Sequence, residues 1–160
     1  MTEIVISKYE RQVWDRKKEL RKWLSDHPFK LSVTLTFRKD VSEQCAICQL
    51  ERFIKKLSSR LYGSRAERGG KRIKVAAFKE FQSSGRIHWH LLLYDGYDDG
   101  KWRLSMIGGA KHVRECWEAC SFSGHQIDVQ DINRKNIRKT VRYFTKKVGS
   151  DLENFHSEWL

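Results

Sequence analysis

Only one proline, Pro28, interrupts these 160 residues, and nowhere do about 18 apolar residues run together. A membrane-spanning helix within this sequence is thereby excluded. The opening residues, MTEIVISKYERQVW, lack the apolar run and small-residue cleavage site of a secretory leader, and cysteine is sparse, with four in all. A reduced, cytoplasmic protein with no membrane partner is the expectation. Cys45 and Cys48, then Cys116 and Cys120, imitate the two halves of a zinc site, but both pairs lie in segments of helical periodicity with apolar neighbours. Small buried core residues account for them better. No internal repeat, low-complexity tract or linker-like stretch divides the chain. Acidic residues are short as well: 20 against 32 Lys plus Arg leave a net charge of +12, a field that favours polyanions such as nucleic acid or acidic lipid.

The length suits one domain, 1–160, read as an N-terminal helical extension over 1–28, a core over 29–149 and a loose tail over 150–160. Val13, Leu20 and Leu24 mark an amphipathic helix from about Thr2 to Asp26. KLSVTLTF, Lys30 to Phe37, alternates strictly as a half-buried strand, with Ser32, Thr34 and Thr36 on its polar face. Cys45, Cys48, Phe53, Ile54, Leu57 and Leu61 recur at helical spacing from Ser42 to about Leu61, before the basic loop YGSRAERGGKR. RIKVAAFKEF and RIHWHLLLY are strands whose separation by QSSG permits only a hairpin. Met106, Ile107, Ala110, Val113 and Trp117 mark a third helix, HQIDVQDI a strand, and Ile137, Val141, Phe144 and Val148 a last helix starting near Asn133. This order predicts an α+β fold: a mainly antiparallel sheet of about four or five strands with helices packed mostly on one face.

Successive strand residues point to opposite faces, so His88 and His90 share one face while Ile87, Trp89, Leu91 and Leu93 form the other. Two neutral imidazoles about 7 Å apart along a strand can converge on one divalent ion. A three-residue hairpin loop, Ser83 to Gly85, with Gly85 in the left-handed conformation sets Glu80 opposite His88. A two- or four-residue loop sets Phe81 or Lys79 there instead. The three-residue register also turns Lys79 onto the core face, and it leaves Thr34 and Thr36 beside the histidines. On the last helix, in VRYFTKKVG, Tyr143 sits about 100° round from Phe144, at the edge of the apolar stripe. Lys146 and Lys147 follow one turn later, and either ammonium could approach a phosphate held by the tyrosine.

These residues resemble the HUH endonucleases, and within them the rolling-circle replication initiators of plasmids and single-stranded DNA phages. VTLTF resembles the first family motif, HWHLLL the His-hydrophobic-His motif, Glu80 stands where many members carry a carboxylate ligand, and YFTK, Tyr143 to Lys146, is similar to the tyrosine-x-x-lysine motif. Together they span Val33 to Lys147, in the family's order. Where some members carry a second tyrosine this sequence has Lys147, which implies a single nucleophile. The resemblance implies an HUH, ferredoxin-like arrangement and a site-specific nickase of single-stranded DNA at a replication origin. Mg²⁺ or Mn²⁺ would be held by Glu80, His88 and His90, Tyr143 would form a 5′-phosphotyrosine, and Lys146, or alternatively Lys147, would assist. The length leaves no room for a helicase domain, so a host helicase and polymerase are the expected partners. Arg65, Arg68, Lys71 and Arg72 of the basic loop, with Thr34 and Thr36, are the candidate DNA contacts, whereas Trp89 and Trp117 belong to the core. Other readings are a single-tyrosine HUH transposase, a mobilisation relaxase, a zinc hydrolase, and a non-catalytic nucleic-acid-binding module whose histidines stack on bases.

Overall fold

A computed structural model describes residues 7–96, 103–105, 108–148 and 153–160. The expected helix start at Thr2, the helix residues Met106 and Ile107, and the first residues of the expected tail lie outside them. Helix α1 (Lys8–Ser25) opens on a capping box in which Ser7 and Glu10 each accept from the other's backbone N–H. It stops at Asp26, shortly before Pro28, and buries only Leu20 and Leu24. Then follow β1 (Leu31–Phe37), α2 (Glu43–Tyr62), β2 (Lys74–Phe81), β3 (Ile87–Tyr94), α3 (Gly109–Glu118), β4 (Ser123–Asp131), α4 (Ile137–Phe144) and β5 (Phe155–Trp159), with a 3-10 turn at Arg103–Ser105. The five strands form one antiparallel sheet in the order β4-β1-β3-β2-β5. Two β-α-β units that share the β2–β3 hairpin generate its first four positions, the ferredoxin-like arrangement.

The apolar faces of β1, β2 and β3 pack under α2 and α3, with Trp89, Phe53 and Trp117 at the centre. Both indoles keep a hydrogen bond inside the core: Trp89 donates to the Ala46 carbonyl at 3.3 Å and Trp117 to the Thr36 carbonyl at 3.1 Å. The second face is covered by α1 and α4 only on its β2 side, where Leu20, Leu24, Val141 and Val148 meet Ala76, Phe78 and Leu92. Its β1 and β4 side is left open, and that gap makes the candidate site. Lys79, turned onto the core face by the hairpin register, leaves 9% of its side chain exposed and pairs with Glu43 at the start of α2, 3.0 Å away.

The chain's end is not a loose tail. Phe155–Trp159 pairs with β2, where Trp159 enters the main core while Phe155 stacks on Phe78 in the opposite cluster. A bulge opposite Val75 and Ala77 places these two residues, four apart, on different faces and erases the alternation that marks a strand. The strand also covers the β2 edge that would otherwise stand unpaired. The last helix starts later than expected, because the Asn133 side chain accepts from the N–H groups of Lys135 and Asn136 and holds a turn there.

Gly85 closes the β2–β3 loop with φ of +83°. A β-branched side chain pays a steric penalty in that region, so Gly85→Val should destabilise the fold by about 1–2 kcal/mol. Urea denaturation measures this; an unchanged midpoint would show that the loop adapts.

Candidate metal centre and active site

The hairpin sets the register. Gln82 donates its N–H to the Arg86 carbonyl and Gly85 donates to the Gln82 carbonyl, both at 2.8 Å, so Ser83, Ser84 and Gly85 are the loop and Glu80 pairs with His88. Glu80 Oε2 lies 3.2 Å from His88 Nε2 and 2.6 Å from His90 Nε2, and the two nitrogens are 3.1 Å apart. Ligand atoms at right angles round an ion with bonds of about 2.1 Å stand roughly 3 Å apart, so the donor set and its spacing both fit a small divalent cation. Hydrogen bonding alone satisfies the trio poorly: an unprotonated Nε2 turns its lone pair on carboxylate lone pairs, and two protonated ones crowd their hydrogens together. Among the described residues this is the only group of three or more histidine, cysteine or acidic side chains able to hold a metal ion. The cysteines are free and stay in helices and core.

The neighbours prepare the ligands. Burial alone would raise the pKa of Glu80, but hydrogen bonds from Lys147, His90 and His88 outweigh it and hold the value at about 2. Burial pushes the His90 pKa down, more than the Glu80 hydrogen bond lifts it. At neutral pH the pair is therefore an ionised carboxylate and a neutral imidazole, the forms a metal requires. On β1, Thr34 Oγ1 lies 3.1 Å from His90 Nδ1. An Nδ1–H donated to that oxygen leaves the Nε2 lone pair free for an ion.

Helix α4 is tied to this strand by Phe144, whose ring stacks on His90 with centroids 4.8 Å apart. Tyr143, one residue earlier, is 62% exposed and meets His90 edge-on at 5.8 Å. After Phe144 the helix stops: the Thr145 hydroxyl donates back to the Val141 carbonyl at 2.8 Å and accepts from Arg21 of α1 at 2.8 Å. Helical arithmetic therefore fails beyond Thr145. Lys147 folds back to place Nζ 2.5 Å from Glu80 Oε1, whereas the Lys146 carbonyl accepts from Lys17.

Glu80, His88, His90 and Tyr143 line one open trough of about 930 Å³, which runs over Thr34 and Thr36 to β4. Gln126 and Asp128 of β4 and Lys139 of α4 also line it, and sequence reasoning missed all three. The alternation of HQIDVQDI, treated like that of β1, puts Gln126 and Asp128 on the polar face and could have found them. Arg65, Arg68, Lys71 and Arg72 are not brought to the trough. Their loop precedes Lys74, at the opposite end of β2 from Glu80, a separation of about 20 Å along the strand. Lys71 and Arg72 instead line a separate cleft with Trp159.

The model of the family described as Replication-associated protein ORF2/gene II protein matches residues 30–151. The chain belongs to this family. The matched span runs from just before β1 to just past α4, so it holds the three ligand-type residues and Tyr143 and leaves α1 outside. Membership agrees with the resemblance to rolling-circle initiators. The replication-associated protein ORF4 of Chlamydia phage 1 is 30% identical over 101 residues, covering 55% of this chain and 24% of that protein. The chain thus spans about a quarter of the length of this relative. No solved structure matches this chain. No described helix is long and apolar enough to cross a membrane.

Proposed function

We propose that this replication-associated protein nicks and rejoins single-stranded DNA at a replication origin through a covalent bond to Tyr143, with Mg²⁺ or Mn²⁺ held by Glu80, His88 and His90. One observation carries the reading: a three-ligand cluster and an exposed tyrosine face the same trough, tied together by the stacking of Phe144 on His90. A divalent ion bound there would polarise the scissile phosphate and balance the charge that builds on it. Tyr143 gives up its proton and its oxygen attacks phosphorus. The bond from phosphorus to the 3′-oxygen breaks, that oxygen leaves with the electron pair and takes a proton, and the 5′-phosphate stays on the tyrosine. A polymerase can extend the 3′-hydroxyl. A 3′-hydroxyl that attacks the phosphotyrosine reverses the step, and because one ester replaces another no ATP is consumed.

The occupied faces of the His90 ring, against Phe144 and Tyr143, support this reading over a module that stacks histidines on bases. The test is incubation with labelled single-stranded oligonucleotides from the protein's own replicon, in Mn²⁺ or EDTA, followed by a denaturing gel. A protein–DNA adduct formed only with metal is expected; tight binding without an adduct in either condition would overturn the proposal.

The two lysines divide the work. Lys147 reaches the Glu80 carboxylate and steadies both the ligand and the segment that carries Tyr143. Lys147→Ala should slow single-turnover adduct formation by about tenfold or more, equivalent to ~1.4 kcal/mol, and Lys146→Ala by less. The reverse ranking would return the role to Lys146.

A further inference from the structure

Helix α4 presents two polar flanks. By the helical turn of about 100° per residue, Asn136, Lys139, Thr140 and Tyr143 share the flank that lines the trough. Lys135, Arg138 and Arg142 turn the other way, towards α1 and solvent. There α1 docks through Lys17, which donates to the Lys146 carbonyl at 3.0 Å, and Arg21, which donates to Thr145 Oγ1 at 2.8 Å. Continuing round α1 from that contact come Trp14, Lys18 and Lys22, while Asp15 and Glu19 fall on its far side. Among the described residues, Lys18, Arg21, Lys22, Lys135, Arg138 and Arg142 take part in no ion pair. Arg21 feels this crowding: burial first, and then the charge of Arg142, lower its pKa. From 133 to 148 the chain carries no acidic residue. Unneutralised like charges held side by side cost stability unless a polyanion covers them. Trp14, 57% exposed with the Lys18 ammonium over its ring, adds a flat apolar face beside the charges.

We infer that α1 and the outer flank of α4 form a second nucleic-acid surface, separate from the trough, which grips the phosphate backbone of the single strand beyond the segment at Tyr143. The inference rests on the reading of single-stranded DNA as substrate. Helix α1 lies outside the span matched by the family model, so this grip is an addition that the chain makes to the common core. A strand held only in the trough would gain nothing from it. A longer strand, leaving the trough past the end of α4, meets a ridge of cations and a stacking face.

The test is binding without chemistry, by fluorescence anisotropy in EDTA, with oligonucleotides of about 8 and about 24 nucleotides across a range of KCl concentrations. The variant combines Lys18→Gln, Lys22→Gln and Arg138→Gln, all solvent-facing and outside the trough; circular dichroism checks its fold, and each single variant backs it up. The wild type should bind the longer strand more tightly and with the steeper salt dependence. The variant should lose tenfold or more in affinity for the longer strand and about two units of log–log salt slope, at roughly 0.7 per lost phosphate contact, while the short strand is unaffected. Equal losses on both lengths, or none, would overturn the inference, as would wild-type binding to phosphatidylserine vesicles with no length effect on DNA. Because no adduct is read, a failure of the Tyr143 chemistry would leave this result standing, and the converse holds.

Discussion

Tyr143→Phe should abolish the covalent protein–DNA adduct while leaving metal binding and DNA binding within about twofold of the wild type. The substitution removes one hydroxyl from a ring that is largely exposed, so neither the core nor the His90 contact depends on it. A phenol of pKa about 10 costs roughly 4 kcal/mol to ionise at pH 7, and no other residue at that position on α4 offers a nucleophile. Cleavage should therefore fall at least about a thousandfold, and whatever remains should be hydrolysis without attachment. A denaturing gel of 5′- and 3′-labelled oligonucleotides reads both quantities. Adduct persisting in the variant would move the nucleophile elsewhere and leave Tyr143 as a packing residue.

His90→Gln and Glu80→Gln should each weaken Mn²⁺ binding by more than about a hundredfold, because loss of a direct ligand exceeds the 10–100-fold cost of losing an outer partner. Mn²⁺ titration followed by electron paramagnetic resonance measures this without reference to activity. The two variants differ in a second respect. Glu80→Gln deprives the Lys147 ammonium of its carboxylate and loosens the segment after Tyr143, whereas His90→Gln disturbs the platform on which Phe144 stacks. Both should lose adduct formation, and only His90→Gln should also lower thermal stability noticeably, since His90 is buried and Glu80 is not. Mn²⁺ affinity unchanged in both would remove the metal site from this trio.

Much of this arrangement is legible in local chemistry. The strand HWHLLL alternates so cleanly that its two faces follow from the covalent geometry of an extended chain, and the glycine at position 85 selects the loop that brings Glu80 to His88. The polar side of β4 is equally regular, yet it draws no notice because its charged and amide residues match no motif. By contrast, β5 escapes because a bulge puts Phe155 and Trp159 on different faces, so that no period survives to be read. The turn at Thr145 escapes for a related reason: the Arg21 guanidinium that holds its hydroxyl comes from a helix more than a hundred residues earlier.

The sequence by itself determined the element order, the shared face of the two histidines, the register of the carboxylate and the side of α4 on which Tyr143 stands. All four follow from periods of 2 and 3.6 residues and from turn stereochemistry, which act within a few bonds. Only the tertiary structure decided that the basic loop lies at the wrong end of β2, that Lys147 closes on Glu80, and that the open half of one sheet face becomes a trough walled by α4. These depend on where helices settle on the sheet, a choice made by burial of Leu24, Phe78 and Val141 against one another across the chain, and no local pattern records it.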